Sequence, residues 1–323
     1  MKSSAIKTQN NQAMPAGSRL WTPTNIGNDL KLWLRPEGIR PHNGESTSVS
    51  DLRLNRWIDS SSFGSTMGPF DETASSFPSS IQMPSANLVS AGNGSTFGTL
   101  NSRKFDTLRT ANGKGGSISD EAAPQIDPGT GAFTVLTVFR LFKTFDVGIP
   151  YLGGELIIMA DGMGTEASNY ILQMDLNSNT SSEPSFVKIK SVMGGNTHQV
   201  TLEEKAGKSQ IFDNEEFLVA YQRDDGGRSE FFNNGTSLGT STGQTANLAD
   251  NRPRNFNMKI LAESSGTFFV SSPNNSHDVA EIIVFNKLDS TTRILCEGYL
   301  AHKYGRQNKL PATHKYRYGP PRV

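Results

Sequence analysis

The apolar residues of this chain come in short runs, and that pattern restricts the available folds more than any other feature. Phe133-Thr-Val-Leu-Thr-Val-Phe139 is the clearest run. Its aromatic and β-branched residues suit an extended backbone, and both faces are substantially apolar, so the strand belongs in the middle of a covered sheet. Residues 156–160, 170–176, 185–190, 217–221, 257–261, 267–270 and 279–285 read as further strands, with turn residues between them. Asn234-Gly235 follows the strand at 229–233. This pair suits a type I′ hairpin turn, because both central positions need positive φ. Nearer the start, Leu30-Lys-Leu-Trp-Leu34 alternates and predicts a strand with a buried Trp33. The Ser/Gly/Pro-rich stretch 59–101 reads as surface loops with brief strands. Many short strands and little helix predict an all-β sandwich or jelly roll.

One helix is predicted, over residues 291–304. Leu288 offers a hydrophobic staple, Asp289 and Ser290 offer capping oxygens, and Gly305 offers a stop. Ile294, Leu295, Cys296, Tyr299, Leu300 and Ala301 cover most of the circumference, so the helix should be wedged against the body on more than one side. The domain plan is a flexible polar arm at 1–20, a jelly roll at 21–305 and an irregular, aromatic-basic tail at 306–323.

Composition removes several function classes. The 31 Lys and Arg residues balance 31 Asp and Glu, so the electrostatic footprint of a dedicated nucleic-acid binder is missing. Cys296 is the single cysteine, which excludes an intrachain disulfide and a cysteine-based zinc site. The first residues carry no apolar h-region, and a secretory signal is not expected. The apolar runs are strand-length, too short for a membrane-spanning helix.

Three stretches resemble the LamG-like branch of the concanavalin-A-like lectin/glucanase superfamily. The first is Leu30-Lys-Leu-Trp-Leu-Arg35 with Trp57-Ile-Asp59-Ser and Phe63-Gly64, similar to an opening strand and its turn. The second joins residues 217–221, Arg223-Asp-Asp-Gly-Gly227 and Glu230-Phe-Phe-Asn-Asn-Gly235. The third runs from Ala280-Glu-Ile-Ile-Val-Phe285 through Leu288 and Arg293 to Glu297-Gly-Tyr-Leu-Ala-His-Lys-Tyr-Gly305 and Leu310-Pro311. This last stretch resembles a strand-plus-helix ending found in jelly rolls of bacterial surface proteins and tailed-phage virion proteins. The resemblance implies a concanavalin-A-like jelly-roll β-sandwich with one C-terminal helix and extended terminal arms.

Glycosidases of that superfamily carry carboxylates alternating on one strand, and a retaining pair sits about 5–5.5 Å apart. That pattern is missing: Glu155 has Asp161 too far along, and Asp213, Glu215 and Glu216 are expected to precede their strand. His42, His198, His277, His302 and His314 show no metal or triad spacing, and no Gly-x-Ser-x-Gly elbow occurs. His302 is expected to be packed and hydrogen-bonded, and Cys296 to be a small buried hydrophobe. No catalytic residue is therefore assigned. Calcium is the one cofactor to consider, at the turn residues Asp161, Asp224 and Asp225, although aspartate is also simply a good turn former. The Asn-x-Ser/Thr triplets at Asn93, Asn179, Asn234 and Asn274 fit the Asn/Ser-rich composition. Of the tyrosines that could stack on sugar, Tyr299 and Tyr304 should pack the helix, leaving Tyr316 and Tyr318.

The function expected from these readings is a non-enzymatic structural or accessory virion protein of a tailed bacteriophage: a capsid decoration, fibre, spike or baseplate component on the exposed particle surface. Its arms would clasp other virion proteins or copies of itself, with no nucleic-acid or membrane partner. The alternative is a carbohydrate-binding adhesin module that recognises a host-surface glycan.

Overall fold

The computed structural model describes residues 19–41, 52–62, 85–86, 103–106, 116–118, 129–141, 154–161, 169–177, 185–205, 215–245, 258–263 and 276–323. Residues 1–18 of the expected 1–20 arm, most of the 59–101 stretch and the strand at 267–270 lie outside them. Two antiparallel sheets make up the body. The larger uses β1 (Leu30–Pro41), β2 (Leu52–Asp59), β3 (Ser85–Ala86), β4 (Arg103–Asp106), β6 (Phe133–Leu141), β11 (Glu215–Arg223), β12 (Ser229–Asn233), β13 (Thr236–Ser241) and β15 (Ser276–Phe285). Its order is β13-β12-β11-β6-β15-β1-β2-β3, with β4 also alongside β15. The smaller uses β5 (Gly116–Ile118), β7 (Gly154–Asp161), β8 (Asn169–Asn177), β9 (Ser185–Met193), β10 (Asn196–Lys205) and β14 (Met258–Glu263), in the order β10-β9-β8-β7-β14-β5. One α-helix, α1 (Ser290–Lys303), follows β15. This is the all-β jelly-roll sandwich of the expected class.

The position of β6 follows from its residues. It lies between β11 and β15, and successive side chains point to opposite faces. On one face, Phe133 and Phe139 meet Tyr221 and Phe217, with ring centroids 5.8 and 5.3 Å apart. That face looks toward the smaller sheet, where His198 of β10 reaches Phe231 at 4.8 Å. On the other face, Leu136 and Val138 join Leu218, Ala220 and Ile283 against Cys296, Leu300 and Ala301 of α1. The central sheet is thus buried from both sides, which is why its strands carry near-continuous apolar runs.

Turn chemistry behaves as its residues dictate. Asn234 and Gly235 take φ of 49° and 78°, the type I′ geometry. Asp59 is buried and its Oδ1 accepts the Trp33 and Ser61 amides, each at 2.8 Å, tying the end of β2 to β1. The helix opens on Asp289, whose Oδ1 accepts the Thr291 amide at 2.9 Å. It closes through Gly305 at φ 66° and a bond from the Arg306 amide to the Ala301 carbonyl at 2.6 Å, a Schellman ending.

Three expectations need correction. Glu215 and Glu216 do not precede their strand; they are its first two residues, paired in register with Leu141 and Arg140. The pattern missed β10 altogether, because Asn196-Thr-His-Gln-Val-Thr-Leu-Glu-Glu-Lys205 is an edge strand with one polar, exposed face. The largest difference concerns the tail. It is irregular as expected, but it is packed on its own domain rather than extended: Leu310 is fully buried, the Trp21 amide donates to the Pro321 carbonyl at 3.0 Å, and the Val323 amide donates to Arg19 at 2.9 Å. Gly298 explains the docking. A Cβ there would come within 2.5 Å of Tyr316, so only a bare glycine lets the tail lie against α1.

Candidate functional site on the helix and tail

The segment after β15 contains the densest polar chemistry among the described residues. Glu281 sits at a bulge in β15, where pairing with β6 shifts register after Val279, and it is completely buried. Its Oε1 accepts the Trp33 indole N–H at 2.5 Å, and its Oε2 accepts the Tyr304 hydroxyl and the Lys303 ammonium, each at 2.7 Å. Burial pushes the Tyr304 hydroxyl well above the usual phenol range, and the Glu281 charge reinforces that shift. Tyr299 is shifted upward for the same two reasons, wedged edge-on against Trp21 and Trp33. Lys303 also reaches Glu37 at 3.4 Å. Burial tends to raise the Glu37 carboxyl, but Lys303 and Arg35 together hold it below its ordinary range.

Two more buried ion pairs lie on the same side. Arg293 and Glu297, one helical turn apart, form a salt bridge while the Arg293 guanidinium lies 3.7 Å over the Phe232 ring. Glu297 also meets His314 Nε2 at 3.2 Å. Arg306 donates to the Glu216 carboxylate at 2.7 Å, to the Glu216 carbonyl at 2.6 Å and to Asn234 at 3.1 Å. Glu216, considered as a catalytic acid, is therefore a fastening point for the chain beyond α1. His302 donates from Nε2 to the Tyr316 carbonyl at 2.7 Å, so it is the packed, hydrogen-bonded residue expected. Cys296 is fully buried, and burial drives its thiol pKa well up, which keeps it inert.

Tyr299 and Tyr304 pack as expected, but Tyr316, expected to be available with Tyr318, is packed against the helix. Tyr304 is buried, Tyr299 packs the helix, and Tyr316 lies across Gly298. Tyr318 alone among the four projects outward, at 70% exposure, with the Arg317 guanidinium 5.7 Å from its ring.

The other candidates are dispersed. Asp224 Oδ1 accepts the Arg228 amide at 2.8 Å and shapes the β11–β12 turn, whereas Asp225 Oδ1 accepts the Ala132 amide at 2.5 Å and ties that turn to the start of β6. Asp161 ends β7 in the other sheet, and Glu155 is paired in register with Asp175. No group of three or more His, Cys, Asp or Glu able to hold a metal occurs among the described residues. Asp213, His42, Asn93, Asn179 and Asn274 lie outside those residues, His277 falls in β15, and Asn234 forms the hairpin turn.

Sequence spacing gave no hint of one pair. His198 Nδ1 lies 2.8 Å from Ser229 Oγ, across the two sheets. A histidine beside a serine hydroxyl is a nucleophile–base geometry, but both residues are buried, with the aromatic Phe231 alongside. Substrate has no access to it. Burial lowers the His198 pKa against the opposing effect of the Glu230 charge, and the ring is a hydrogen-bonding partner between the sheets.

The class these observations define is an antiparallel two-sheet sandwich capped by a C-terminal helix and tail. No family model matches the chain, and no curated protein does. Among solved structures it is similar to botulinum neurotoxin type C, in a study of cell entry dependent on two ganglioside molecules, at 13% identity and TM-score 0.46, covering 86% of this chain and 53% of that one. It is similar to the botulinum neurotoxin type G receptor-binding domain at 14% identity and TM-score 0.44, covering 86% and 51%. It is also similar to a Trypanosoma rangeli sialidase at 11% identity and TM-score 0.42, covering 85% and 33%. The chain thus spans about half of each neurotoxin chain and a third of the sialidase. No helix among the described residues is long and apolar enough to cross a membrane.

Proposed function

We propose that the chain is a non-catalytic binding domain that holds a surface glycan on the outer face of its C-terminal tail. The observation that carries this reading is Tyr318: a largely exposed aromatic ring on a segment fixed to the body at both ends. An exposed tyrosine offers an apolar face for the C–H side of a sugar and a hydroxyl at its edge, with little side-chain entropy to lose. The buried carboxylates support a non-enzymatic role, since Glu281, Glu297 and Glu216 hold α1, β1 and the tail together. A glycan array probed with the parent and with Tyr318→Ala tests the reading. Tyr318→Ala should weaken binding about tenfold, roughly 1.4 kcal/mol, with an unchanged melting temperature. Equal binding by both proteins would move the site elsewhere.

The context proposed for this domain is the exposed surface of a tailed-phage virion, as a structural or accessory component. The resemblance of residues 280–311 to the closing strand and helix of such proteins favours that placement. Mass spectrometry of purified particles tests it, and absence of the chain from them would leave a surface adhesin of another origin.

A further inference from the structure

Charge is distributed very unevenly along this neutral chain. Residues 298–323 contain six Lys and Arg and no Asp or Glu. Lys303 and Arg306 are taken up internally, by Glu281 with Glu37 and by Glu216. Most of the remaining positive charge is on the outside, although Arg317 is half-buried and its guanidinium donates to the Leu310 carbonyl. Lys309, Lys315 and Arg322 are exposed, Arg317 lies against Tyr318, and Arg19 is brought alongside by the Leu20–Arg322 bridge. The tail folds back over α1, with His314 at Glu297, Tyr316 at Gly298 and Pro321 at Trp21. Lys315, Arg317 and Arg322 therefore follow one another along an exposed tail segment fastened to the body, with Tyr318 among them and Arg19 joined at its end, and this tail surface is the face in question.

We infer that this face binds an anionic polysaccharide, one bearing carboxylate groups such as uronic or sialic acids. The inference rests on the glycan-binding reading and specifies its ligand class. Like charges crowded on one face repel one another and favour an oppositely charged partner. Arginine and lysine at the rim of an aromatic ring allow sugar stacking and carboxylate pairing at once. Duplex DNA fits less well: a typical specific contact neutralises roughly six to ten phosphates, more than the cations available here.

The test uses the full 323-residue chain in affinity electrophoresis, with polygalacturonate and hyaluronate against dextran and galactan, and with duplex DNA as a further lane. Retardation should be strongest in the two acidic polysaccharides. It should fall about tenfold from low to physiological salt, and it should be lost in the double variant Lys309→Glu, Lys315→Glu, whose melting temperature stays that of the parent. Equal retardation by acidic and neutral polysaccharides would overturn the charge inference and leave the glycan reading intact. No retardation by any polysaccharide would overturn both. DNA binding as tight as polygalacturonate binding would mark a general polyanion surface and overturn the assignment to polysaccharide.

Discussion

A carboxylate removed from water costs several kcal/mol unless its oxygens are filled with donors. Glu281 fills them with an indole N–H from β1 and a hydroxyl and an ammonium from the last turn of α1 and its cap. It therefore joins β15 both to β1, far away in sequence, and to the end of α1. Glu281→Ala should destabilise the fold by about 3–5 kcal/mol, because Trp33, Tyr304 and Lys303 lose their acceptor together. Chemical denaturation measures the loss, and a change under 1 kcal/mol (roughly a surface substitution) would mean that the three donors find other partners. His198 gives a pH prediction. Its folded-state pKa lies below the ordinary imidazole value, so at acid pH the unfolded chain binds the proton more readily. Its contribution is complete above the unfolded pKa, near 6.5, and is lost as pH falls through the folded value. Stability curves between neutrality and acid should therefore be steeper for the parent than for His198→Gln, and parallel curves would remove His198 from the acid response.

At the scale of elements, α1 and the tail behave as one unit that caps the large sheet. Gly298→Ala places a Cβ where Tyr316 lies, and deletion from Lys315 removes Tyr316 and the Pro321 contact. Both changes should lower the melting temperature and make the chain around α1 accessible to protease, the point variant costing about 1–3 kcal/mol. A truncated protein that melts with the parent would restore the picture of a dispensable arm. The helix itself was legible in the sequence because its cap, apolar circumference and glycine stop are all local signals. β6 and the Asn234-Gly235 hairpin were legible for the same reason. The docking of the tail was not. It depends on the missing Cβ of Gly298 facing a ring 18 positions later, and on Glu297 meeting His314, neither of which leaves a periodic trace. β10 escaped notice because its outer face is polar, and the His198–Ser229 contact because it forms across the two sheets. The outward Tyr318 was among the sequence candidates, while its fixed support came only from the fold.

For the whole molecule, the sandwich provides a rigid base and the capped face provides the chemistry exposed to a partner. The neutral overall charge conceals this, since acidic residues elsewhere balance a tail that has none. The central claim is that ligand meets the protein on the fastened tail, and hydrogen–deuterium exchange locates such contact directly. In the free protein, amides of α1 and those of Trp21 and Val323 should already be protected by the bonds described. Addition of saturating acidic polysaccharide should slow exchange further in peptides covering 315–323 and 19–21, and leave the β10 edge unchanged. Added protection confined to the sheet edges or to the 224–228 turn, with the tail unaltered, would contradict the account.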